Sequence, residues 1–159
     1  MQLKVNGENV DIVLEGEKTV GEVLKSFEEE ASKNEATTTN IILDGKDIPA
    51  DEFEGILDKP LLDDTVIELS VISKTAIIRN FKESGSRFEE MQAQLENVSV
   101  LLQSGKDAEA GKIITGIADE ISLFLHTARL SALFPEFYRE LKINGKDMGQ
   151  FMEDFMPYL

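Results

Sequence analysis

At residue 73 the hydrophobic period of this chain changes, and no linker separates the two regimes. Residues 65–72 alternate, with Ile67, Leu69 and Val71 on one side, which is the pattern of a half-buried strand. From Ile77 onward the apolar positions step by fours and threes through Phe81, Phe88, Met91, Leu95, Val98 and Leu102, and Ser84 is the one polar gap. That spacing is a heptad seam of about three and a half repeats. It predicts a helix over 75–103, about 43 Å long at 1.5 Å per residue. A strand running straight into a long amphipathic helix implies an α+β chain of two units, 1–73 and 74–159.

Within the first unit, Leu3 and Val5 alternate with polar neighbours, Asn6-Gly7 follows, and Val10, Ile12 and Leu14 alternate again. Asn-Gly supplies the positive φ angles of a two-residue turn, so this is a β-hairpin. Thr19-Val20-Gly21-Glu22 has capping-box spacing and starts a helix. Its apolar stripe is Val20, Val23, Leu24, Phe27 and Ala31, and it frays out through 32–34 into Thr37-Thr38-Thr39. Ile41-Ile42-Leu43 is a short buried strand closed by the turn Asp44-Gly45-Lys46. Pro49 and an acidic loop follow, anchored by Phe53, Ile56 and Leu57, and the strand at 65–72 completes the order.

That order resembles the ubiquitin-like proteins, in which a hairpin, a helix, a strand with a Gly-Lys turn, a loop and a closing strand build a β-grasp domain. Ile41 to Ile48 is similar to the third strand and its turn, and Asp63 to Leu69 to the entry of the last strand. The resemblance covers 1–72 and implies a ubiquitin-like head. The family's C-terminal diglycine is absent: Ser70-Val71-Ile72-Ser73-Lys74 stands there. Conjugation and sulfur-carrier chemistry are therefore not implied, and a fused interaction module is.

The second unit reads as an all-α hairpin or three-helix bundle. Ser104-Gly105-Lys106 ends the first helix, with Gly105 as a left-handed cap. A second helix over about 107–132, N-capped by Asp107, carries Ile113, Ile114, Ile117, Ile121, Phe124, Leu125 and Ala128 on one side until Pro135 stops it. Leu141-Lys142-Ile143-Asn144-Gly145 echoes Leu3 to Gly7 and reads as a turn. A short helix over about 147–156, with capping spacing at Asp147–Gln150, bears the stripe Met148, Phe151, Met152, Phe155 and Met156. Residues 87–114, from Arg87-Phe88-Glu89-Glu90 to Ile113-Ile114, also resemble the helix–turn–helix of small bundle chaperones that hold export substrates.

Charge narrows the partners. Thirty-one acids face sixteen bases, a net of −15. Eighteen acids and six bases fall in 1–73, a net of −12, and every arginine lies after residue 78. Such a surface repels phosphate, so no nucleic acid partner is expected, and a basic or helical protein partner is. There is no cysteine, which excludes disulfides and thiolate chemistry and fits a cytoplasmic setting. No signal peptide is visible in the first twelve residues, and no run reaches the ~20 apolar residues of a membrane span. The chain stops amid apolar residues, the expected look of a longer natural protein.

No constellation points to catalysis, a metal or a cofactor. His126 is the single histidine, without a second imidazole or thiolate to share a metal. Asp44, Asp47, Asp51, Glu52 and Glu54 cluster without EF-hand spacing. Glu28, Glu29 and Glu30 lie on the polar side of the first helix, as a solvated face or a docking surface for a basic partner. Met148, Phe151, Met152, Phe155 and Met156 form a third core helix or, if incompletely packed, a partner or homodimer face, because methionine adapts to varied surfaces. Phe81, Phe88, Met91, Phe151 and Phe155 are the candidate energetic anchors. These observations predict a non-catalytic adaptor with an acidic head and a helical partner-binding or self-associating body. The alternative is an export-type chaperone that binds a client segment on the bundle.

Overall fold

The structure is a computed structural model that describes every residue except Ile12, Met156, Tyr158 and Leu159. The alternation at Ile12 and the candidate contact Met156 therefore lie outside the described residues. The chain divides into two compact units, Met1–Ser73 and Lys74–Leu159. It is mixed α+β, with a five-stranded sheet first and helices after it.

In the first unit β1 (Gln2–Val5) and β2 (Glu8–Val10) form the hairpin, with Leu3 opposite Val10 and Val5 opposite Glu8. Asn6 and Gly7 take φ of 51° and 85°, as a two-residue turn of this hand requires. The expected alternation to Leu14 breaks early: β2 stops at Val10, Val13 is 88% exposed and Leu14 is exposed. Helix α1 (Val20–Lys33) starts with a complete capping box, Thr19 accepting from the Glu22 N–H while Glu22 accepts from the Thr19 N–H.

Strand β3 (Ala36–Leu43) is longer than Ile41–Leu43, because Ala36, Thr37 and Thr38 pair with Ser73, Ile72 and Val71. Thr37 and Thr38, both β-branched, gain ladder partners from a strand thirty residues away, and Thr39 falls at an irregularity in the register; local spacing reveals neither. Asp44 and Gly45 turn β3 into β4 (Lys46–Asp47) with φ of 51° and 79°. The loop region contains a short helix, α2 (Glu54–Leu57), anchored by buried Ile56. Strand β5 (Val66–Ser73) is central in the order β2-β1-β5-β3-β4, parallel to β1 and antiparallel to β3.

Leu3, Val20, Val23, Leu24, Leu43, Ile48, Ile56, Ile67 and Leu69 make the core. The start of α1 is tied down by hydrogen bonds from Val20 N–H to the Lys59 carbonyl and from Leu61 N–H to the Lys18 carbonyl. Gly21 is what allows this closeness. A Cβ there would meet the Leu57 carbonyl oxygen at 2.8 Å and its Cα at 3.0 Å.

The second unit is a helical hairpin with additions. Helix α3 (Lys74–Gln103) begins at the residue after β5, and α4 (Asp107–Ser131) returns along it. The turn between them is a complete Schellman motif: Gly105 has φ 71°, its N–H donates to the Leu102 carbonyl, and the Lys106 N–H donates to the Leu101 carbonyl. Asp107 is not the N-cap. It is the first helical residue, Lys106 precedes it without a side-chain cap, and Asp107 instead adds negative charge to the first turn.

Pro135 does not simply end the helical region. It opens α5 (Pro135–Glu140) from the first turn, where its missing N–H costs no hydrogen bond. Residues 141–147 form more than a turn. Strands β6 (Lys142–Ile143) and β7 (Lys146–Asp147) pair in the register of β3 and β4, with Asn144 and Gly145 at φ 51° and 79°. They lead into α6 (Met148–Phe155), where Asp147 caps by accepting from the Gln150 N–H at 2.9 Å.

Candidate interaction surfaces

Between α1, the outer edge of β3 and residues 48–58 runs an open groove of about 1380 Å³. Leu24, Ile41, Ile48, Phe53 and Leu57 supply its apolar lining. Its charged lining is Glu22, Glu28, Glu29 and Asp58 against Lys25 and Lys33. The site exists because α1 packs on the sheet with Val20, Val23 and Leu24 buried, while β4 covers only Ile42 and Leu43 of the outer edge of β3.

The three consecutive glutamates of α1, Glu28 to Glu30, fall into different roles. Glu28 is half-buried, and its carboxylate accepts from the Thr37 hydroxyl at 2.6 Å, the Thr38 hydroxyl at 2.9 Å and the Thr38 N–H at 3.3 Å. It thus sits where a neighbouring strand would otherwise pair. Glu29 is exposed on the groove. Glu30 is exposed and accepts from Lys33 at 2.7 Å. That hydrogen bond and its charge, helped by Glu29, raise the Lys33 ammonium above its ordinary range.

In the second unit Phe124 is the hub. Phe81, Phe88 and Phe151 meet it edge-on with ring centroids 5.6, 6.0 and 5.8 Å away. Phe155 stacks on Phe151 at 5.6 Å. Met148 is buried, and Phe151, Met152 and Phe155 are half-buried, so α6 packs by its apolar stripe and presents only part of it. Beside the hub, the buried Glu120 accepts from the Ser84 hydroxyl at 2.6 Å. Arg87 Nε lies 2.7 Å from the other Glu120 oxygen, but its N–H is not directed along that line, so the contact is an ion pair and not an aligned hydrogen bond. Ser84, the polar gap in the seam, is the partner of this buried carboxylate.

The seam itself is covered at one end only. Ile77 and Ser84 are buried. Leu95 and Leu102 follow them by about five full turns each, hence on the same face of α3. They are 48% and 49% exposed, and Ile114 of α4 is 51% exposed. Helix α6 has eight residues, about 12 Å, against the thirty of α3. A third helix that short covers the aromatic end and leaves the end near Gly105 open.

His126 is exposed on α4. Asp44 accepts from the Val66 N–H at 2.8 Å, and Lys46 pairs with Glu52, so members of the acidic loop serve local structure. Among the described residues no group of three or more His, Cys, Asp and Glu side chains is placed to hold a metal ion. No helix is long and apolar enough to cross a membrane among them either.

No solved structure matches this chain. A family model described as the TP0873 N-terminal domain matches residues 1–73. An uncharacterized protein of Treponema pallidum (strain Nichols) is 24% identical over 159 residues, covering 100% of this chain and 79% of that protein. The chain is thus similar along its whole length to a longer treponemal protein, and along its first unit to the TP0873 N-terminal domain.

Proposed function

We propose that this chain is a non-catalytic protein–protein interaction module, with a ubiquitin-like β-grasp head and a helical body that receives a partner. The strand order β2-β1-β5-β3-β4 with parallel β1 and β5, and one helix packed on the sheet, supports the β-grasp reading of the head. The observation that carries the function is the half-covered seam of α3. Leucines at 95 and 102 continue a buried face into solvent, and a partner helix laid along them would extend the packing already made by α6. The partner is another protein's amphipathic helix, or α3 and α4 of a second copy. An export-type chaperone is the alternative, in which a client segment takes the same seam.

The test is a photo-crosslinking residue placed at Leu95, Leu102 or Val100 of the full chain. Val100 is 57% exposed but lies on the opposite side of α3. Crosslinks from 95 and 102 and none from 100 support the reading. Equal crosslinking from all three, or none, refutes it. A captured segment that is unfolded when free and ordered when bound favours the chaperone alternative.

A further inference from the structure

We propose that the groove between α1 and the edge of β3 seats an extended, lysine- or arginine-bearing segment of another protein. The inference deepens the interaction-module reading by assigning the head its own ligand class, and it rests on that reading.

Three observations converge. First, size: about 1380 Å³ exceeds the ~300–1,000 Å³ of sites that engulf small molecules, and the groove is open, which suits a peptide. Second, charge: four carboxylates line it against two lysines, and Lys33 is already paired with Glu30. The unit around it carries eighteen acids against six bases, so a basic chain is drawn in and an acidic one repelled. Third, backbone: the Thr38 N–H points away from β5 and is held by the Glu28 carboxylate at 3.3 Å, the longest of that carboxylate's three bonds.

Glu28 therefore stands where the carbonyl of an added strand would sit. A basic side chain arriving with that strand offers the carboxylate a charged partner in place of the Thr38 N–H. The freed N–H then pairs with the incoming backbone, and alternate apolar side chains of the segment reach Leu24, Ile41 and Phe53. Attraction and strand addition are coupled through one residue.

The experiment titrates the ¹⁵N-labelled full chain, at low and at moderate salt, with three synthetic ten-residue peptides: alternating Lys-Val, Lys-Ser and Glu-Val. The expected result is that Lys-Val shifts amides of residues 37–41 and 48–57, at least tenfold more tightly than Lys-Ser, while Glu-Val does nothing. Glu29→Arg, an exposed change with no bond to lose, should weaken Lys-Val by about tenfold or more at low salt. Equal binding of Lys-Val and Lys-Ser would mean diffuse charge attraction and overturns the proposal. So does an absence of shifts with Lys-Val up to its solubility limit. Shifts confined to Leu95, Leu102 and Ile114 would also overturn it, while leaving the seam reading of the helical body intact.

Discussion

Gly21→Ala sets two known effects against each other, and the structure decides the sign. Alanine is favoured over glycine in a helix by at most ~1 kcal/mol, so propensity alone predicts stabilisation. The new methyl, however, would lie 2.8 Å from the Leu57 carbonyl oxygen and 3.0 Å from its Cα and Cβ. Two of those atoms are backbone, and Leu57 closes a short helix whose neighbour Ile56 is 3% exposed, so the wall cannot swing aside as a side-chain tip would. Overpacking of this kind costs ~1–3 kcal/mol, with the backbone contact arguing for the upper half. The net expectation is a loss of about 1–2 kcal/mol. Gly55→Ala is the internal control, because its Cβ would meet nothing within 4 Å and it should be neutral or gain up to ~1 kcal/mol. Urea unfolding followed by ¹⁵N NMR on amides of the first unit measures both without mixing in the helical unit. A neutral or stabilised Gly21→Ala would refute the close approach of α1 and α2.

Phe124→Ala removes the ring that three others meet and should cost ~3–5 kcal/mol, read as urea-induced loss of helical circular dichroism; a cost below 1 kcal/mol would mean the hub is not packed. Arg87→Ala leaves the Glu120 carboxylate with the Ser84 hydroxyl alone and should destabilise by ~2–4 kcal/mol, discounted for the partial exposure of Arg87; Glu120→Gln added to it should recover much of that loss, and strict additivity of the two changes would argue against coupling. Glu17 is held below the ordinary carboxylate range by its own backbone N–H and the Ser26 hydroxyl, with the Glu15 and Gly16 N–H groups adding. Because the folded value is the lower one, its contribution is present above the usual carboxylate range and is lost as pH falls through the folded value. Carboxyl NMR should show Glu17 titrating low in the native chain and closer to normal in Ser26→Ala; no difference would remove Ser26 as a cause.

Features written in local chemistry were the legible ones. Asn6-Gly7 and Gly105 announce positive φ because few other residues tolerate it, and Thr19 with Glu22 announces a helix start because both side chains reach only neighbouring N–H groups. Residues 36–38 were not legible as strand, since their partners at 71–73 are distant in sequence. Asp107 looked like a cap, yet the Schellman turn had already set the chain one residue out of phase. The polar side of α1 could be read, but not that Glu28 alone leans on a strand edge while Glu29 stays free of it. Periodicity likewise drew one seam from Ile77 to Leu102 and could not say that α6 is too short to cover all of it. The groove collects residues from 19 to 58, so no single segment displays it.

The position of β5 has a mechanical consequence. The first unit begins in β1 and ends in β5, and these two strands are neighbours running the same way, with Gln2 beside Val66 and Val5 beside Leu69. A pull between Met1 and Ser73 drags parallel strands past one another lengthwise. The ladder bonds then bear load together and not one after another, and β3 grips β5 from its other side. Tension applied between Met1 and Ser73 therefore meets a shear clamp and not a row of bonds peeled apart singly.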